Sequence, residues 1–216
     1  MLEFKNVDFA YGEKTLLKDF SFSAKEGVST AVLGPSGFGK TTLLNLSAGF
    51  LSPKEGIITP FSGGKPTYIF QEDRLLPWFT ALENLTALGI EKSAAAKYLE
   101  KVGLSDAADK YPEELSGGMQ RRLAIARALA FGGDIFYFDE PLRGLDIKTS
   151  GEILDLIRKE ISGKTALIIT HSPAEAFFLC DRILLCGNSP LEIISDRKKS
   201  DFSDENELVE FIKTMI

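Results

Sequence analysis

The chain has 216 residues, 44% of them hydrophobic and 26% charged, which suits a globular core in one large domain or one domain carrying an inserted subdomain. The formal net charge of −6 argues against a broad nucleic-acid footprint, because neutralising phosphates needs a basic surface, while a local anion site stays open. No stretch reaches the roughly 18–20 apolar residues that span a bilayer, and the N-terminal "MLEFKNVDFAYGEK" lacks the basic-then-apolar order of a secretory signal.

Along the chain, "LEFKNVDF" and "FSFSA" alternate apolar and polar residues, which predicts two strands solvated on one face, joined through "AYGEKTLLKD". "VSTAVL" is more continuously apolar, as in a strand buried on both faces. It runs into "GPSGFGK", and "TTLLNLSAGF" then reads as a helix ending at Gly49. "TYIF" is a short further strand. From Pro77 to Gly133 the patterns "TALENLTALGI", "KSAAAKYLEKVGL" and "GMQRRLAIARALA" are helical. Strand-like runs resume with "IFYFDE", "ALIIT", "RILLC" and "LEIIS". Between them "IKTSGEILDLIRKEIS" reads as an amphipathic helix with Ile153, Leu154, Leu156, Ile157 and Ile161 on its apolar face. "FSDENELVEFIKTMI" predicts a terminal helix with Leu208, Val209, Phe211 and Ile212 inward. The order is α/β, a helical insert, then α/β again. Cys180 and Cys186 fit neither a zinc ribbon nor a redox pair and read as reduced thiols in or beside a buried strand.

"GPSGFGKT", Gly34 to Thr41, fits G-x-x-x-x-G-K-[ST] between a strand and a helix. Gly34, Gly37 and Gly39 let the backbone curl so that N–H groups of the loop face phosphate oxygens, with Pro35, Ser36, Phe38 and Thr42 completing the cofactor-binding stretch. Lys40 brings a positive charge to the β- and γ-phosphates, and the Thr41 hydroxyl is placed to ligate Mg²⁺. The plain alternative is a glycine turn. "DIFYFDEP" then puts Asp139 and Glu140 at the carboxyl end of a central strand, where ligands sit in open α/β sheets. Asp139 is suited to hold Mg²⁺ through water and Glu140 to deprotonate an attacking water; a solvated acidic turn is the alternative. His171, the only histidine, reads on its own as an ordinary residue at a strand end.

"LSGGMQRR", Leu115 to Arg122, places Ser116, Gly117 and Gly118 ahead of a helix, a second anion-binding start that a chain holding one nucleotide does not need. With the two preceding motifs it resembles the ATP-binding subunit of ABC transporters, over about Leu2 to Ser195. The resemblance implies a P-loop NTPase (RecA-like) core over 1–76 and 134–205, with an N-terminal antiparallel β subdomain. It further implies a helical signature subdomain over 77–133 and a C-terminal helix over 206–216. It implies a head-to-tail homodimer in which Ser116, Gly117 and Gly118 meet the ATP of the partner copy. By the same resemblance Tyr11 stacks on adenine and Gln71 links Mg²⁺ and the lytic water to the helical subdomain. Asp146 lies in the loop crossing the dimer, and His171 is the switch histidine contacting the γ-phosphate.

"FQEDRLLPWFTALENL" looks most like the nitrate, sulfonate and taurine importer branch. That likeness implies a groove from Gln71 to Phe79 receiving a membrane permease, and indirectly a substrate-binding protein, on the cytoplasmic face of the membrane. Leu76 and Trp78 read equally as groove contacts or as core of the helical subdomain. "DRILLCGNSPLEIIS" is also similar to that branch, although its run reads "SPLEI" where a Pro-Gly-Arg-Ile run is usual, and two residue departures stand out: Arg143 and Gly144 replace a Ser-Ala pair, and Ser172 replaces an aspartate. A chain ending at Ile216 carries the expectation of no C-terminal effector domain. The function expected is an importer ATPase. The rival is a non-transport ABC ATPase serving assembly, such as iron–sulfur cluster formation; a DNA-repair ATPase fits the acidic balance poorly.

Overall fold

A computed structural model of the protein describes residues 1–215. Six strands form the central sheet in the order β5-β6-β7-β3-β8-β9, and three more form a separate antiparallel sheet in the order β2-β1-β4. In the central sheet β3 (Ser29–Leu33), β5 (Pro66–Ile69), β6 (Ile135–Asp139), β7 (Thr165–Thr170) and β8 (Arg182–Gly187) run parallel, while β9 (Glu192–Lys198) pairs antiparallel with β8. Every residue of β3, β6 and β7 is buried, which explains their unbroken apolar runs: each is covered on both faces.

The pleat divides these strands between two cores. Leu33, Phe136, Phe138 and Ile168 point to one side, with the helices that carry Leu99, Leu123, Ile125 and Ile157. Val32, Ile135, Tyr137 and Ile169 point to the other, with helix α1 (Lys40–Ser47) and the aromatic face of the small sheet, including Phe4, Phe20 and Phe22. Each such side chain stabilises the fold by about 1.5–3 kcal/mol through burial.

In the small sheet, β1 (Leu2–Tyr11) and β2 (Lys14–Ala24) form a hairpin across Gly12 and Glu13. The segment expected to connect two separate strands is therefore mostly strand. Register shifts between Phe4 and Ala10 break the two-residue period, so Leu16 and Leu17 are buried side by side and hide the alternation. The third strand, β4 (Glu55–Thr59), pairs with β1. It was not expected, because as a solvated edge it carries no apolar rhythm.

Between β5 and β6 lie α2 (Ala81–Thr86), α3 (Lys92–Lys101) and α4 (Gly117–Phe131). Helix α4 starts at Gly117, so the two glycines lie inside its first turn rather than before it, and Ser116 is its N-cap. Helix α5 (Ile147–Ile161) buries Ile153, Ile157 and Ile161, with Leu154 and Leu156 half-buried. A short helix α6 (Pro173–Leu179), absent from the sequence reading, follows β7. Helix α7 (Glu205–Met215) buries Leu208, with Val209, Phe211 and Ile212 half-buried; Ile216, the last residue of the expected terminal helix, lies outside the described residues. Helix α1 ends at its C-cap Ala48, ahead of Gly49. Both cysteines are free and buried, Cys186 in β8 and Cys180 just before it, and burial pushes the Cys186 thiol up to about 12. Among the described residues no helix is long and apolar enough to cross a membrane.

Candidate functional site

The loop from Gly34 to Gly39 joins β3 to α1 at the carboxyl edge of the central sheet. Gly34 admits no side chain: a Cβ there would lie 2.1 Å from the Cys186 carbonyl oxygen of β8. Gly39 is the N-cap of α1 at φ +96°, a conformation suited to glycine, and no side chain caps the helix. No acid sits in the first turn of α1, so no side chain there competes with an anion for its N–H groups and helix dipole. Lys40 is only 5% exposed and donates to the Gly34 carbonyl at 2.8 Å and the Pro35 carbonyl at 2.5 Å. Burial lowers its pKa, an effect opposed by the negative charges of Glu140 and Asp139. Ser36 and Gly37 are exposed, whereas Phe38 packs against the core and Thr42 is buried.

Strand β6 delivers the carboxylates. Asp139 is 2% exposed; burial raises its pKa, and a hydrogen bond from the Thr41 hydroxyl pulls the other way. Its Oδ1 is buried with no hydrogen-bond partner. Glu140 turns away from the strand at φ +47°, its N–H donating to the Ile169 carbonyl at 2.9 Å. Its Oε1 lies 3.4 Å from Nδ1 of His171, whose side chain is 62% exposed. The histidine's own loop is fixed locally. The Thr170 hydroxyl donates to Glu175 Oε2 at 2.8 Å and accepts from the Ser172 N–H at 2.9 Å. Ser172 is the N-cap of α6, accepting from the Glu175 N–H at 3.3 Å. A serine therefore does at this position what an aspartate cap does.

Tyr11, Ser36, Lys40, Thr41, Gln71 and Glu140 line one cleft of about 310 Å³. Clefts of about 630 and 660 Å³ lie elsewhere, around Arg182 and Lys199, and contain none of the motif residues. The Tyr11 ring is exposed and stands edge-on to Phe9, with centroids 5.0 Å apart. Ser116, Gly117 and Gly118 do not line this cleft, nor does Asp146. They share another side of the molecule: a Cβ on Gly118 would come within 3.8 Å of the Gly144 carbonyl oxygen. There Asp146 caps α5 through the Thr149 N–H at 3.0 Å, beside an exposed Arg143 and an almost fully exposed Ile147.

The stretch after Gln71 resolves one open alternative. Trp78 is 81% exposed and Phe79 is exposed, so neither is core. Leu75 is half-buried against the core and Leu76 is half-buried. The fully buried Asn84 holds this loop: its amide oxygen accepts from the Leu76 N–H, and its NH₂ group donates to the carbonyls of Leu76, Phe79 and Thr80.

Two residues at the site escaped the sequence reading. Arg121 in α4 is buried and bonds to backbone on both sides of the cleft, and Arg127 donates to the carbonyls of Asp73 and Arg74. The signal was present: Arg121 shares a helix stripe with the buried Ala124, Ile125 and Ala128, and an arginine inside an apolar stripe implies buried partners. Among the described residues no three His, Cys, Asp or Glu side chains form a metal cluster.

Comparison with known proteins agrees with this geometry. The ABC transporter family matches over residues 17–143. The chain is 38% identical to the bicarbonate transport ATP-binding protein CmpD of Synechocystis sp., over 94% of this chain and 79% of that protein. It is 39% identical to the taurine import ATP-binding protein TauB of Pseudomonas aeruginosa, over 88% of this chain and 78% of that one. A dimeric ATP-binding cassette solved in a post-hydrolysis state with ADP and Pi superposes with a TM-score of 0.79 at 33% identity, covering 92% of this chain and 99% of that one. The chain belongs to the ABC transporter family, as one of its ATP-binding and ATP-hydrolysing subunits.

Proposed function

We propose that the chain is the ATPase of an importer, in which ATP-driven closure of two copies powers solute uptake through a separate membrane permease. The observation that carries this reading is the cleft in which Lys40, Thr41, Gln71 and Glu140 converge, with His171 against the Glu140 carboxylate. ATP lies with its phosphates on the Gly34–Thr42 loop and its adenine against Tyr11. Lys40 exchanges the Gly34 and Pro35 carbonyls for phosphate oxygens. Ser116, Gly117 and Gly118 meet the ATP of a second copy, whose approach also brings the two Asp146 loops together.

The residues present fit Mg²⁺. The unpartnered Oδ1 of Asp139 beside the Thr41 hydroxyl, with Gln71 in the same cleft, supplies hard oxygen donors, too few for an all-protein cage and suited to an ion that keeps waters and phosphate ligands. Bound there, the ion neutralises charge on the β- and γ-phosphate oxygens. Glu140 accepts a proton from the attacking water as its oxygen bonds to the γ-phosphorus and the bond to the bridging oxygen of ADP breaks. Lys40 and His171 stabilise charge on the transferred group.

Residues 1–76 and 134–205 form the nucleotide-binding core and 77–133 the signature-bearing helical unit, with the C-terminal helix after them. On this reading Gln71 to Phe79 present the permease groove and the chain works at the inner face of a membrane. The relatives named for transport and import favour this reading over a non-transport assembly ATPase, and the adjacent exposed Trp78 and Phe79 offer an apolar contact to the permease. The relatives are named for bicarbonate and for taurine at nearly equal identity, so the ATPase chain does not encode the solute.

Replacing Glu140 with Gln tests the chemistry. The variant is expected to bind ATP, to lose about 10²–10⁴-fold in turnover, and to elute as an ATP-loaded dimer in size-exclusion chromatography. Wild-type turnover in that variant rules out Glu140 as the base.

A further inference from the structure

We infer that Arg121 is a positioning residue for hydrolysis, holding Glu140 and the Gln71 loop in register with the signature helix; the inference rests on Glu140 being the base. Its guanidinium is 3% exposed and makes five hydrogen bonds to two separate segments. On one side Nε donates to the Pro141 carbonyl at 2.7 Å, and Nη2 donates to the carbonyls of Asp139 at 3.2 Å and Glu140 at 2.6 Å. Three successive carbonyls can turn toward one group only if the chain leaves β6 sharply. The left-handed backbone of Glu140, at φ +47°, is that turn. A residue other than glycine keeps such a conformation only when its surroundings fix it. Besides Arg121, the bonds on the Glu140 backbone are its N–H to Ile169 and the Arg143 N–H to its carbonyl.

On the other side Nη1 donates to the Phe70 carbonyl at 2.7 Å, one residue before Gln71, and to Asp73 Oδ1 at 3.1 Å. One planar fork thus sets the backbone beside two groups that line the cleft, Gln71 and Glu140. Arg121 sits in the second turn of α4, five residues after its N-cap Ser116. A shift of the signature helix is therefore delivered directly to the Glu140 turn. Lysine cannot replace it, because a point charge with three donors does not span five acceptors in two directions.

The test compares Arg121→Gln, Arg121→Lys and Arg122→Gln in the purified chain. Arg122 is the control: it lies in the same helix and donates to the carbonyls of Val102 and Gly103, away from the cleft. In both Arg121 variants kcat is expected to fall about 10–100-fold, with KM for ATP within about threefold of wild type, since misplacing a catalytic group costs rate more than binding. Arg122→Gln is expected to keep kcat within about twofold. In single-turnover hydrolysis on the Glu140→Gln background, adding Arg121→Gln is expected to cost clearly less than it does with Glu140 present, because a large part of its effect runs through the glutamate. Equal losses with and without Glu140, or a raised KM at wild-type kcat, overturn the inference. If Arg121→Gln does not fold, the lysine variant, which keeps the buried charge, decides: wild-type kcat in it overturns the inference too. Wild-type turnover in Glu140→Gln alone instead removes the underlying assignment of the base, a separate failure.

Discussion

Glu140 and His171 come from the ends of neighbouring strands, β6 and β7, and their side chains meet at 3.4 Å. That spacing is long for a charge-assisted hydrogen bond. The surrounding bonds hold the two backbones: Glu140 through Ile169 and Arg121, His171 through the Thr170, Ser172 and Glu175 circuit. Because His171 is the only histidine, every imidazole resonance in an NMR spectrum reports this site. Adding Mg-ATP to the Glu140→Gln variant is expected to shift those resonances, as the γ-phosphate and the closing partner change the ring's surroundings. An unmoved signal in a dimer shown to be ATP-loaded makes His171 an ordinary strand-end residue.

At the scale of elements, the loop from Leu76 to Thr80 is the clearest case of a surface built by the interior. Asn84 on α2 satisfies the loop's backbone from below, and the capping box of Thr80 and Glu83 fixes where it enters the helix. The loop is therefore held in a shape that leaves Trp78 facing solvent. If a permease docks there, Trp78→Ala keeps the ATPase activity of the isolated chain within about twofold, since it touches nothing in the cleft, but prevents co-purification with the membrane subunits. Co-purification at wild-type yield places the contact elsewhere. The glycine loop and the β6 acids were legible because their chemistry is written in contiguous residues with fixed spacing. The small sheet was half legible, since bulges erase the period of β2 and β4 is a solvated edge. Helix α6 is short, and its start at Ser172 and Pro173 resembles a turn. Asn84 was missed for a different reason: it acts on backbone carbonyls and an N–H group, which leave no mark on the sequence of the segment it holds, whereas Arg121 left a sign only in its own apolar helix stripe.

At the scale of the whole molecule, one buried phenol, Tyr137, and two half-buried ones, Tyr68 and Tyr98, tie helices to their neighbours, and they give the fold an alkaline limit. Tyr98 on α3 donates to Glu160 on α5 at 3.0 Å, joining the helical region to the central sheet's cover. Tyr137 of β6 donates to the Ser47 carbonyl at 3.1 Å and Tyr68 of β5 to Asn45 at 2.9 Å, so both brace α1. Burial raises all three above the ordinary tyrosine value of 10.0; Tyr98, also raised by Glu160, and Tyr137 each reach about 12. With folded values raised, the folded chain holds protons that the unfolded chain has lost, so stability falls as pH rises from about 10 toward 12 and is untouched by these groups below 10. For Tyr137 the two-unit gap corresponds to at most about 3 kcal/mol. Phenolate absorbance from these three tyrosines is therefore expected to appear together with the loss of circular dichroism, in one step, as pH is raised. The Tyr137→Phe variant, which has no proton to lose there, is expected to unfold at higher pH once its stability at neutral pH is matched to wild type. Phenolate absorbance from all three with the dichroism intact would mean that these side chains ionise within the fold and do not brace α1 and α5.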